Sequence, residues 1–185
     1  MKTQVNKNRI IFLFGVYFVI LLWFVLMKCN DVVRLCPEWQ PHRTIVQHFL
    51  DGAVPFRNFE KLLQTGGMEL VIFFANFVLF MPMGFLFPYL MGKGKSVALV
   101  FAAALSIEIC QLFTGWGGYD TTDVIMTFLG GAFGVWLHIA LHAELSNRTV
   151  NKIALWTGVV FLPLALFAIA HTVVNFPPIY PTNLW

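Results

Sequence analysis

Charge is scarce in this chain: Asp, Glu, Lys and Arg make up 11% of its 185 residues, against 58% hydrophobic. A soluble domain of that composition would expose more apolar surface than water tolerates, so an integral membrane protein is expected. The twelve basic residues are spread over loops instead of gathering on one face. That pattern argues against nucleic acid as a partner and suits anionic lipid headgroups. Cysteine is limited to three residues, and their spacing to each other and to histidine supports no metal site, so neither metal nor cofactor is expected. Cys29 and Cys36 are compatible with a small disulfide or with two separate thiols, and Cys110 reads as a packing residue. No long Ser-, Gly- or Pro-rich linker divides the chain, which implies one domain over 1–185.

What is present in abundance is apolar sequence, with 20 Phe and 6 Trp. Runs near the ~20 residues needed to cross a bilayer occupy about 10–27, 69–91, 96–114, 121–141 and 153–174. Their length and continuous apolarity exclude barrel strands. The expected fold is therefore all-α, a polytopic bundle of about five transmembrane helices. The first run exceeds a signal-peptide core and lacks a small-x-small cleavage site, so it is expected to be retained. Lys2, Lys7, Arg9, Lys93, Lys95, Arg148 and Lys152 lie in three segments flanking the spans and assign those segments to the cytoplasm, with the N-terminus inside and the C-terminus outside. The loop 115–120 carries no basic residue and falls outside. The Asn-x-Thr at 147–149 is read as chance, because its loop is short and expected to be cytoplasmic.

The outer segment 28–68 is expected to be amphipathic. "HRTIVQHFL" sets Ile45, Val46, Phe49 and Leu50 on one helical face and Arg43, Gln47 and His48 on the other, the pattern of a short helix on a membrane surface. Asp51-Gly52 and Pro55 then break it, and the segment is expected to cap the outer ends of the bundle. Gly130 and Gly134 form a G-x-x-x-G, with Gly131 between them, and Ala102 and Ser106 repeat that spacing. An antiparallel close pair of the third and fourth spans follows.

Five polar groups stand out against this background. Glu108 lies in the outer third of its span, Gln111 is three residues on along the same face, and Asn76 reaches a similar depth on the second span. Asp120 precedes the fourth span and Asp123 opens it. A charge inside a span costs roughly 2.5–3.5 kcal/mol on insertion scales, so Glu108 needs a partner, a proton or a function. Asp120 is equally well explained as a helix cap, and Asn76 as an interhelical hydrogen bond. His138 and His142 sit ~22 Å along the helix from the acids and read as packing residues; His171, near the outer end of the fifth span, is a weaker candidate for the cluster.

The order of these elements resembles the VanZ-like family of bacterial membrane proteins. "NFVLFMPMGFLFPYL" supplies Asn76, Phe80, Pro82 and Gly84; "SIEICQLF" supplies Glu108 and Gln111; "YDTTDVIMTFLGG" supplies Asp120 and Asp123 before Gly130 and Gly134. "VPF" at 54–56 also suits the family. The resemblance covers about 50–140. Family members often carry Arg where Gly117 stands, Asn where Thr127 stands and an acid where Thr122 stands. The resemblance implies a cell-envelope role in the bacterial cytoplasmic membrane, with founding members associated with low-level resistance to teicoplanin-type lipoglycopeptides.

Three functions follow as expectations. The first is binding of a membrane lipid, a lipoglycopeptide antibiotic or a lipid-linked wall precursor at an outer-leaflet pocket of Asn76, Glu108, Gln111, Asp120 and Asp123. The second is a membrane enzyme modifying an envelope lipid or wall precursor, with Glu108 and Asp123 as an acid/base pair. Proton-linked transport is third, weakened by the absence of broken-helix repeats.

Overall fold

The computed structural model describes residues 8–22, 45–56, 68–114 and 119–175. Cys29, Cys36, Gly117 and the proline-rich C-terminal stretch lie outside them, as does the side chain of His171. Every regular element among the described residues is helical: α1 (Asn8–Leu22), α2 (Ile45–Gly52), α3 (Met68–Leu86), α4 (Pro88–Met91), α5 (Lys93–Thr114), α6 (Thr121–Glu144) and α7 (Asn147–Asn175). Three stretches among them are long and apolar enough to cross a membrane: Phe74–Met91, Lys93–Phe113 and Thr121–Glu144. These are the middle three of the five expected. The first expected span runs past the described end of α1, and the fifth overlaps α7.

The element boundaries follow local chemistry. The second span, expected to be unbroken to 91, steps at Phe87, because Pro88 has no N–H to continue the ladder but fits the first turn of a new helix. Gly92, at φ 78°, then ends α4 in a conformation that favours glycine. Asp120 caps α6, its Oδ1 accepting from the Thr122 N–H at 2.7 Å. α7 starts six residues earlier than the expected 153, behind Ser146, whose Oγ accepts from the Thr149 N–H at 3.3 Å.

Lipid removes the usual reason for apolar residues to point inward, so close approach of backbones decides the packing. The most extensive helix pair is α3 with α6. A Cβ placed on Gly130 would overlap the Phe77 carbonyl, one on Gly134 the Met81 carbonyl, and one on Gly84 the Gly131 carbonyl. Phe77 lies at Gly130, Met81 at Gly134 and Phe85 at His138, so residue numbers rise together and the two helices run parallel. The G-x-x-x-G of α6 therefore receives the second span and not the third, as the sequence had suggested. Ala102 and Ser106 are exposed, and the Ser106 hydroxyl donates to its own helix at the Ala102 carbonyl, 2.7 Å away. α5 still packs antiparallel on α6, with the Val100 side chain filling the space over Gly131. The reason is that Gly130 and Gly134 admit the Phe77 and Met81 backbone of α3, and Gly84 of α3 admits the Gly131 carbonyl in return, whereas Ala102 and Ser106 are exposed.

α1 and α7 complete the core. Ile10, Phe14, Tyr17 and Leu21 repeat at helical spacing and are buried with Val150 and Ala154. The Tyr17 hydroxyl donates to the Leu79 carbonyl, tying α1 to α3. The opposite face of α1 presents Phe12 and Val19, both exposed in the protein alone.

Candidate functional site

The acidic stretch lies where α5 ends and α6 begins. Glu108 stands six residues before the end of α5, and Gln111 follows on the same face; both are 3% exposed. Asn76, on α3, is 4% exposed. Oε2 of Glu108 accepts the backbone N–H of Asp120 at 3.0 Å. The buried carboxylate thus holds the entry to α6, a side chain from within α5 reaching the residue before the first turn of the next helix.

This geometry explains how the acids are tolerated. The first N–H groups of a helix lack intrahelical partners and carry a partial positive charge. Glu108 takes the N–H of Asp120, Asp120 takes that of Thr122, and Asp123 stands in the first turn, half-buried. Three carboxylates are therefore gathered at one helix N-terminus. Asp120 is a cap, one of the two roles the sequence allowed.

α2 sits over this end. Phe49 stacks on Tyr119 with ring centroids 5.2 Å apart. The Thr121 hydroxyl donates to the Gly52 carbonyl at 2.8 Å, and the Phe56 N–H donates to Oγ1 of Thr122 at 2.9 Å. Gly52 is required here, because a Cβ would overlap the Tyr119 carbonyl. Phe56 is held at φ 58°, which costs a non-glycine residue about 1–2 kcal/mol and is offset by its docking on the first turn of α6. The expected cap is thus present over 45–56, and its apolar residues Ile45, Val46, Phe49 and Leu50 are exposed.

Sequence reasoning missed the residues that join cap to site. Tyr119 reads from sequence as an interfacial aromatic, and Thr122 as a departure from an acidic family position; neither reveals a contact with residues 49–56. Thr127, the other described departure, is buried one turn after Asp123. No periodic signal marks such pairings, which are some 66 residues apart in sequence.

The histidines are correctly separated from the acids but are not idle packing. His138 is buried, and its Nδ1 lies 3.0 Å from the Phe85 carbonyl, which can only accept, so Nδ1 carries the proton. Its ring meets Tyr89 edge-on at 5.0 Å and His142 at 4.4 Å. Tyr89 in turn donates to Oδ1 of Asn151 at 2.9 Å, and His142 Nδ1 meets Oδ1 of Asn147 at 3.0 Å. This network joins α3, α4, α6 and α7 at the end opposite the acids. Among the described residues, no group of three or more His, Cys, Asp or Glu could hold a metal ion.

Fold and site define a helical membrane protein in which a buried carboxylate latches two helix ends beneath a short amphipathic cap. The VanZ/LLP1 family model matches residues 14–142, and the chain belongs to that family. It is 25% identical over 167 residues to "Protein VanZ" of Enterococcus faecium, covering 89% of this chain and 94% of that one. No solved structure matches the chain.

Proposed function

We propose that this protein is a cell-envelope member of its family that lowers susceptibility to teicoplanin-type lipoglycopeptides by binding a lipid-bearing ligand, antibiotic or wall precursor, at the outer leaflet. In this reading Asn76, Glu108, Gln111, Asp120 and Asp123 form the polar floor and α2 the apolar roof. The orientation, with the α5–α6 end outside, is part of the proposal. The observation that carries it is the buried Glu108 carboxylate at the entry to α6, beneath a cap whose Ile45, Val46 and Leu50 are exposed among the described residues. A polar headgroup suits the carboxylate and a lipid tail the apolar face of the cap.

The test is a susceptibility assay in cells expressing Glu108→Gln or Asp123→Asn at wild-type protein levels. Both should weaken protection. Unchanged protection in both variants removes these residues from the mechanism. An enzymatic reading is favoured by one contrast: Glu108 is buried whereas Asp123 is half-buried, so the two carboxylates occupy different environments, as acid/base pairs do. Comparison of envelope lipids by mass spectrometry in deletion and wild-type cells decides it, since chemistry requires a changed species.

A further inference from the structure

At the other end of the bundle, α1 and α7 leave an open groove of about 500 Å³ lined by Asn8, Arg9, Phe12, Leu13 and Leu155. The two helices touch where Leu13 meets Gly158, at a spacing of 3.2 Å from the position a Cβ would take. The groove lies beside that contact, with Phe12 and Leu13 on one wall and Leu155, three residues before Gly158, on the other. Its walls are apolar, and its polar end is formed by Asn8 and Arg9, both exposed. Arg148, Lys152 and Leu155 fall on one face of α7 at the i, i+4, i+7 spacing, so two further exposed cations lead up to the groove wall. Trp156, 66% exposed, stands beside them, where an interfacial aromatic belongs.

We infer that this groove is a binding site for an anionic phospholipid of the leaflet that holds the N-terminus of α1, with Arg9 on the phosphate and an acyl chain along Phe12, Leu13 and Leu155. The shape selects for lipid, since a soluble anion would leave the apolar walls uncovered. The charge selects among lipids, since a basic pocket between membrane helices favours an anionic headgroup over a zwitterionic one. The site is separate from the acidic end and does not depend on the proposed function. It bears instead on how α1 is held against α7.

The experiment is native mass spectrometry of the full chain, purified in a neutral detergent and offered phosphatidylglycerol or phosphatidylcholine with identical acyl chains. A third arm offers glycerol 3-phosphate, the headgroup without its chains. Phosphatidylglycerol should be retained in preference to phosphatidylcholine, and glycerol 3-phosphate should not be retained. Arg9→Gln should weaken phosphatidylglycerol retention about fivefold, the effect of one interfacial charge. Arg9→Lys should preserve most of it, and Lys95→Gln, which removes an exposed charge outside the groove, should change nothing. Phe12→Ala should lower retention of both lipids. Equal retention of the two lipids, equal effects of Arg9→Gln and Lys95→Gln, or retention of glycerol 3-phosphate as strong as that of the lipid would each overturn the inference. If Arg9→Gln does not fold, Leu155→Ala, on the opposite wall, takes its place and should lower retention of both lipids as Phe12→Ala does; unchanged retention would overturn the inference.

Discussion

Replacing Gly130 by alanine tests the central claim about the fold, that α3 and α6 meet backbone to backbone. The added methyl would overlap the Phe77 carbonyl oxygen and sit 2.8 Å from the Phe77 Cα and carbonyl carbon. Ordinary van der Waals contact begins at 3.4 Å, and the carbonyl oxygen is the nearest obstacle, so the two helices must part locally by more than about 1 Å. A gap of ~0.5–1 Å forfeits a quarter to a half of the dispersion energy of the contacts it opens. Overpacking of this kind costs about 1–3 kcal/mol, and the upper part of that range applies because the obstacle is backbone and cannot rotate aside. Alanine returns at most ~1 kcal/mol through helix propensity. Two other glycines calibrate the measurement. A Cβ at Gly158 meets only the Leu13 side chain, at 3.2 Å, and one at Gly15 meets nothing within 4 Å. Reversible unfolding in mixed micelles, followed by circular dichroism as the fraction of denaturing detergent rises, should rank Gly15→Ala at or above wild type, Gly158→Ala near it, and Gly130→Ala clearly below. A Gly130→Ala protein as stable as Gly15→Ala would refute the parallel α3–α6 contact.

Other perturbations separate scaffold from site. Glu108→Ala leaves the Asp120 N–H without its carboxylate acceptor and should lower stability by about 1–3 kcal/mol, whereas Glu108→Gln keeps an acceptor oxygen and should unfold close to wild type. The same micelle titration reads both. Asp120→Ala should cost about 0.5–2 kcal/mol through loss of the α6 cap, and Asp120→Asn should recover most of it; equal losses would mean that charge, not capping, is the contribution. Thr122→Val removes the acceptor for Phe56 and should raise amide hydrogen exchange in residues 45–56 while leaving α3 and α6 protected. Unaltered exchange across the cap would show that Phe49 on Tyr119 and the Thr121 hydroxyl on the Gly52 carbonyl hold it without Thr122.

The acids illustrate what could and could not be read ahead of the structure. The intramembrane placement of Glu108 and Gln111 was legible because hydrocarbon penalises charge, so a polar residue in an apolar run stands out without any knowledge of its neighbours. The capping role of Asp120 was one of two readings, and geometry selected it. The α3–α6 pairing was misassigned because a glycine motif states that some backbone approaches closely without stating which. Chain proximity favoured α5, but the complementary Gly84 lies on α3. The histidines were placed at the correct end, yet the bond from His138 to the Phe85 carbonyl had no signal, since a backbone acceptor leaves no mark in side-chain identity.

By itself, then, the sequence determined that the chain is helical and membrane-embedded, where most of its helices begin and end, and which polar residues need an explanation. Those properties depend on local composition and on the solvent, and a bilayer makes both unusually restrictive. Only the tertiary structure decided which helices touch, that Glu108 serves the entry to α6, and that a segment near residue 50 rests on Tyr119, Thr121 and Thr122. With apolar surface welcome on every side, hydrophobic pattern cannot choose partners; steric fit between backbones and a few long-range hydrogen bonds choose them instead.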